Sequence, residues 1–239
     1  MAKLVWDATG ERRYETGVSH GILFVRKADG TYDNGVVWNG LTTVTESPEG
    51  AEAVDLWADN MKYATFRSAE TFGGTIEAYT YPDEFAECDG QAAVSAGVYI
   101  GQQTRKTFGF CYRTDVGDDT NADLDENTGY KIHIVWGASA SPSERSYETI
   151  NDSPDAIQFS WEFTTTPVAV TGHKPTSLMV IDTTKLTSTT DQAKLAKLEE
   201  RLYGVDPVTG DNPVAGSDSA LPTPDDIIYL FTEGDWPAA

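Results

Sequence analysis

Residues 157–164 read IQFSWEFT. Ile157, Phe159, Trp161 and Phe163 alternate with Gln158, Ser160, Glu162 and Thr164. Side chains of a strand point to opposite faces in turn, so this stretch is a β-strand with one buried face and one wet face. The same period recurs on either side. YKIHIVW at 130–136 puts Tyr130, Ile132, Ile134 and Trp136 on one face and Lys131 and His133 on the other. TFGFCYR at 107–113 alternates Phe108, Phe110 and Tyr112. Further strands are expected at 3–6, 22–26, 35–45, 61–67, 74–81, 94–100 and 178–182. Turn clusters such as KADG, YPDEF and GDDTNADLDENTG separate them. Many short strands spaced in this way make a mainly β protein, an antiparallel sandwich or barrel.

Helix is scarce. STTDQAKLAKLEERLYG, residues 188–204, carries a stripe of Leu195, Leu198 and Leu202 and ends at Gly204. Its N-cap is expected at Thr189 or Thr190, and its stripe should lie on a sheet face. A short C-terminal helix near 223–233 is expected to begin at Thr223, with Pro224 in its first turn and Asp225 and Asp226 at the positive end of its dipole. The run GVDPVTGDNPVAGSDSALP between the helices looks like a flexible connector. Residues 46–60, ESPEGAEAVDLWADN, read as a long acidic loop between strands, and loops of that length inside a domain are commonly functional. The expected division is a β domain over 1–204 and a C-terminal extension over 205–239.

Charge excludes several classes of function. There are 17 Lys+Arg against 38 Asp+Glu, a net charge of -21, so nucleic acid and anionic membrane should be repelled. No Lys or Arg lies between Arg67 and Arg105, where Glu70, Glu77, Asp83, Glu84, Glu87 and Asp89 fall, and none follows Arg201. The start, MAKLVWDATGERRYETG, has no apolar core of a secretory signal, and no stretch is apolar enough to span a membrane. Cys88 and Cys111 are expected as reduced, partly buried thiols, too few for a zinc cage.

Three motifs invite chemistry and fail on context. GVSHG at 17–21 fits the nucleophile elbow of a serine hydrolase, with Ser19 as nucleophile. An elbow follows a strand and opens a helix, whereas this one precedes the strand ILFV and reads as a loop entering it. In GDDTNADLDENTG, 117–129, aligning Asp119, Asn121 and Asp123 to a calcium loop puts Leu124 where glycine is required and Tyr130 where glutamate belongs. His20, His133 and His173 are scattered, and His133 is expected to be exposed on the polar face of its strand.

Several segments together resemble one family, the major tail tube proteins of bacteriophages with long, non-contractile tails. They are YETGVSHGILFV (14–25), GVVWNGLTTVTESPEGAE (35–52), ADNMKYATF (58–66), TIEAYTYPDEFAECDG (75–90), GQQTRKTFGFCYRTD (101–115), YKIHIVWGASASPSERSYETIND (130–152) and SPDAIQFSWEFTTTPV (153–168). The helix DQAKLAKLEERLYG and the closing LPTPDDIIYLF are similar to the family's ending.

The resemblance implies an antiparallel β-sandwich or barrel of the tail tube type, with one flanking helix and a short C-terminal helix. It implies rings, commonly hexameric, stacked into a tube through which genomic DNA passes without tight binding. It also implies tail terminator, distal tail and tape measure proteins as partners, with assembly in the host bacterial cytoplasm, a place in the virion tail, and no enzymatic activity or cofactor. The loop at 46–60 then reaches a neighbouring ring, with Glu49, Leu56, Trp57, Asp59 and Tyr63 as inter-subunit contact candidates. Glu77, Asp83, Glu84 and Glu87 are candidates for an acidic lumen or surface. The rival reading is an acidic β-sandwich that binds or cleaves carbohydrate, using Trp57, Tyr79 and Tyr81 with a carboxylate pair. A secreted adhesin is a third, weakened by the missing signal.

Overall fold

A computed structural model of the protein describes residues 4–50, 52–120, 129–150, 155–207 and 216–237. The strands in chain order are β1 (Tyr14–Val25), β2 (Val36–Trp38), β3 (Leu41–Glu46), β4 (Glu49–Gly50), β5 (Ala53–Ala58), β6 (Met61–Arg67), β7 (Glu70–Thr71) and β8 (Gly73–Ala78). After helix α1 (Phe85–Cys88) come β9 (Ala92–Ser95), β10 (Val98–Ile100), β11 (Phe108–Gly117), β12 (Gly129–Ala140), β13 (Phe159–Thr165) and β14 (Leu178–Asp182). Helices α2 (Thr189–Tyr203) and α3 (Pro224–Glu233) follow. The fold is mainly β and antiparallel, as the alternation predicts.

Strand β12 organises it. Over 131–135 it lies between β11 and β14, in a sheet that continues through β1 to β2. Over 138–140 the edge that held β14 pairs instead with β13, which leads to β8 and β3, while β11 stays alongside as far as Ala138. The turn from one set of partners to the other falls at Gly137, which has φ +64° and has the carbonyl of Thr166 where a Cβ would stand. Only glycine takes that conformation against that neighbour without strain. One strand therefore serves two sheets.

The two sheets enclose the first core. Trp161 of β13 meets the rings of Trp38, Phe85, Tyr81 and Phe159, and Phe85 meets Phe108. The Trp38 indole N–H donates to the Thr80 carbonyl (2.9 Å), so the buried ring keeps its hydrogen bond. The second core lies on the other face of the first sheet. There Ile22, Phe24, Cys111, Ile132, Ile134 and Trp136 meet Leu198 and Leu202 of α2 and Ile227 and Leu230 of α3. The first sheet is thus buried on both faces, and TFGFCYR has no wet side: Phe108, Phe110 and Tyr112 face one core and Cys111 the other. A Cβ on Gly109 would collide with Leu221, which explains the glycine in the middle of that run.

Several expectations are corrected. The expected strand at 35–45 is two strands, split where Gly40 takes φ +77°, and the one at 94–100 is a hairpin turning at Gly97, φ +75°. Leu4, Val5 and Trp6 are exposed and not in a strand. Strand β1 starts at Tyr14, so GVSHG lies inside a strand whose pairing with β11 shifts register on both sides of Ser19. The N-cap of α2 is Ser188, whose hydroxyl accepts from Asp191 N (3.1 Å). Gly204 ends α2 with φ +79°, and Thr223 and Asp226 form the capping box of α3. The described ends of the connector are anchored: Val205 bridges Ser217, and Ala220 N donates to Arg201 O (2.7 Å).

Candidate functional site

The β3–β8 ladder does not stop at the edge of the sandwich. It continues outward in the same register as β4 with β7 and then β5 with β6, a hairpin whose described residues are 41–50 and 52–78. Its tip is a two-residue turn between Ala58 and Met61, in which Asp59 and Asn60 both have positive φ (52° and 62°). That is a type I′ geometry, whose twist matches the flanking strands, and Asp and Asn tolerate it. The expected acidic loop at 46–60 is therefore a paired arm, and it extends beyond 60 to the end of β7. The sequence carried the sign in the alternation of AVDLWA and MKYATFR around DN, under an acidic composition that resembles a loop.

Register assigns the arm two faces. Val54 and Leu56 pair with Phe66 and Ala64, and Ala58 with Met61, giving one apolar face. On the other, the Asp55 carboxylate accepts from Lys62 Nζ and from the Thr65 hydroxyl, both at 2.8 Å, beside Trp57. Almost nothing on the arm is covered: Trp57 is 69% exposed, Tyr63 73% and Phe66 60%. A bare two-stranded hairpin is marginal in water, and clustered exposed apolar groups mark contact surfaces. The contact candidates Glu49 (β4), Leu56 and Trp57 (β5), Asp59 (tip) and Tyr63 (β6, where the register slips) all lie on this arm. Val54, Met61 and Phe66 belong with them and were missed, because their shared face depends on the hairpin register.

The outer face of the second sheet is polar throughout. Thr43, Thr45, Thr75, Glu77, Ser160, Glu162 and Thr164 alternate with the core residues of β3, β8 and β13, and no Lys or Arg stands among them. Of the four acidic candidates only Glu77 is on this face, where Gln158 Nε2 donates to it (3.1 Å). Asp83 and Glu84 are exposed just before α1, and Glu87 within α1 is ion-paired with Lys106. The four acids do not form one surface.

A polar cluster clamps the root of the arm. Glu46, the last residue of β3, accepts from the Tyr112 hydroxyl (2.6 Å) and meets His133 Nδ1 at 2.9 Å. The imidazole stacks on Tyr112 (4.6 Å), with Thr114 Oγ1 at 3.1 Å from Nε2 and Glu15 at 3.5 Å. His133 is buried, which corrects the expected exposure: the polar face of β12 is covered by the second sheet. The His133 hydrogen bond, aided by Tyr112, holds Glu46 below its ordinary value of 4.5 against the opposing effect of burial. Burial would raise Glu15 as well, and is outweighed by Lys131 and Thr114. A lowered carboxylate stabilises the fold fully above its unfolded value and loses that contribution as pH falls through the folded one. Stability should therefore drop on acidification below about pH 4.5. Glu46→Gln should show a smaller loss of urea midpoint between pH 5 and pH 3 than the wild type, and equal losses would remove Glu46 from the acid response.

The other motifs do not assemble into a site. Ser19 Oγ lies 2.9 Å from His20 Nδ1, but β1 runs on through both residues and no helix follows. Burial and the charge of Arg113 hold the His20 imidazole below its usual range. Trp57 is on the arm, Tyr79 is exposed beyond the other end of β8, and Tyr81 packs on Phe159 and Trp161, so the three aromatics do not form one carbohydrate platform. Cys88 and Cys111 are free and buried, and burial pushes both thiols up to about 12. Residues 121–128 of the calcium-like run lie outside the described residues. Among the described residues no group of three or more His, Cys, Asp or Glu could hold a metal ion, and no helix is long and apolar enough to cross a membrane. No protein-family model matches the chain, and no curated protein matches it in sequence.

Proposed function

We propose that the protein is a structural subunit that assembles with copies of itself into stacked rings, forming a tube of the kind found in long, non-contractile phage tails. The observation that carries the reading is the arm: a hairpin with an exposed apolar face that the rest of the described residues leave uncovered. A partner must cover it, and the motif resemblance over 14–204 makes that partner another copy. The cation-free face of Thr, Ser and Glu on β3, β8 and β13 suits a channel wall, since phosphates find no Lys or Arg to bind there. Terminator, distal tail and tape measure proteins would then be the partners at the ends and in the lumen of the tube, in the virion tail. Negative-stain images of the purified protein test the reading. Rings or tubes are expected, and a strictly monomeric protein at high concentration would overturn it.

Salt gives a second test with a defined sign. Each copy brings a charge of -21, so association pushes like charges together. The Debye length falls from about 10 Å at 0.1 M salt to about 3 Å at 1 M, which screens that repulsion, while sulfate strengthens apolar burial. Assembly should become more favourable as salt rises, most of all with sulfate. Sedimentation across a sodium sulfate series checks this, and tubes that dissolve as sulfate is raised would show that intersubunit ion pairs dominate.

A further inference from the structure

A cavity of about 410 Å³ opens beside the bend of β12, a volume that suits a small organic molecule. Trp136 and Gly137 bring the strand to it, and the turn at 26–32, residues 166–168 and residues 220–224 close around them. Hydrogen bonds fix these pieces to one another. Gly137 N donates to the Tyr32 hydroxyl (3.1 Å), and Thr166 N donates to the Gly137 carbonyl (3.0 Å). The Trp136 indole N–H donates to the Pro222 carbonyl (2.9 Å). The walls between them are apolar, from Tyr32, Pro167, Val168, Leu221 and Pro224.

The polar part of the lining is one-sided. Among the described residues no Asp or Glu lines the cavity, in a chain that has 38 of them. The acids just outside are already engaged. Asp29 accepts from Thr31 N and Oγ1, Asp225 from Thr171 N and Oγ1, and Asp226 from Thr223 N. Asp33 is paired with Lys27. Arg26 lines the cavity and is exposed, which places it at the rim; its Nε donates to Gly30 O (3.2 Å). It is bridged to Tyr32 across the turn, so both side chains stand on one face. The Tyr32 hydroxyl accepts from Gly137 and still has its own hydrogen to give. Burial pushes that hydroxyl above its ordinary value of 10, against the smaller effects of Gly137 and Arg26, so it stays a donor at neutral pH. The cavity therefore offers a ligand apolar walls, a hydroxyl donor and a cation.

We propose that this cavity binds a small carboxylate with a flat apolar body, the body against the apolar walls and the carboxylate held by Arg26 and the Tyr32 hydroxyl. A guanidinium matches a carboxylate with two parallel N–H bonds, and an amine in the same place would meet a like charge. The bound ligand ties the turn at 26–32 to residues 220–224, which lead into α3, and so stabilises the folded chain. None of these residues is on the arm, so the proposal stands or falls apart from the assembly reading.

Three probes with one ring test it by calorimetric titration: indole-3-acetate, the neutral indole-3-acetamide and the cationic tryptamine. Indole-3-acetate should bind, the amide about tenfold more weakly, the scale of one charge-assisted hydrogen bond, and tryptamine not at all. Amide NMR signals of Gly137 and Thr223 should shift as the acetate is added. Arg26→Gln, at an exposed position, should keep the wild-type melting curve and bind the acetate no more tightly than the amide. Tryptamine binding as tightly as the acetate would overturn the proposal, as would no binding of the acetate in the millimolar range. Shifts confined to residues 53–67 would place the probe on the arm and overturn it too. Wild-type affinity in Arg26→Gln would do the same, and the probe series on the unaltered protein decides even where that variant fails to fold.

Discussion

Replacing Trp57 with alanine is expected to weaken association between copies by about 2 kcal/mol or more, roughly thirty-fold, without lowering the melting temperature of the subunit. The indole stands on β5 opposite Lys62 and is 69% exposed, so the isolated fold gains almost nothing from it. Aromatic anchors of this kind dominate contact energies because they bury a large area at a small cost in conformational freedom. Trp57 lies on the face opposite Val54, Leu56 and Phe66, so an arm inserted between copies would be gripped on both sides. Sedimentation equilibrium measures the association and calorimetry the fold. Unchanged association would show that Trp57 faces solvent in the assembly, and a lowered melting temperature would show that the arm contributes to the body.

The same substitution at Trp161 should have the opposite signature. Trp161 is 1% exposed and sits among Trp38, Phe85, Tyr81 and Phe159 between the two sheets. Loss of a buried tryptophan costs about 3–5 kcal/mol through lost burial and the cavity left behind. Native domains have about 5–15 kcal/mol in all, so Trp161→Ala should sit close to unfolding at 37 °C. Urea denaturation of the monomer measures the loss. A loss under about 1 kcal/mol would mean that the aromatic cluster does not lock the sheets together. Two tryptophans, one on the arm and one in the core, thus separate assembly from folding.

These positions also show what a sequence can disclose. Strands β12 and β13 and both long helices were legible, because a period of two, a leucine stripe and a first turn of Pro224, Asp225 and Asp226 are local signals. Trp161 could be assigned to the core from its neighbours alone. The arm was not legible as a hairpin, since its pairing depends on a turn at Asp59 and Asn60 that holds two side-chain-bearing residues at positive φ. Its five contact candidates, chosen by position in the motif order, all fall on the arm. The burial of His133 was illegible for a different reason. Its cover comes from Glu46, which is 87 residues away in the chain. The double burial of the first sheet was hidden in the same way, because α2 and α3 arrive from the far end of the sequence.

The bend of β12 bears on how a newly made chain matures. The arm and the β9–β10 hairpin join neighbours in sequence and can form as soon as they are synthesised. Strand β1 must wait for β11, with Ile22 pairing with Cys111, and β12 must wait for β14. Pairing between distant segments is slow, because the intervening chain has to be closed into a loop first. The strands of both hairpins are therefore complete before the body that carries them can close. In that interval the chain is at its most exposed to wrong partners, its own copies included. The return of β14 sets the length of the interval: past the bend at Gly137 the chain runs on through β13, and the edge at 131–135 stays open until β14 covers it.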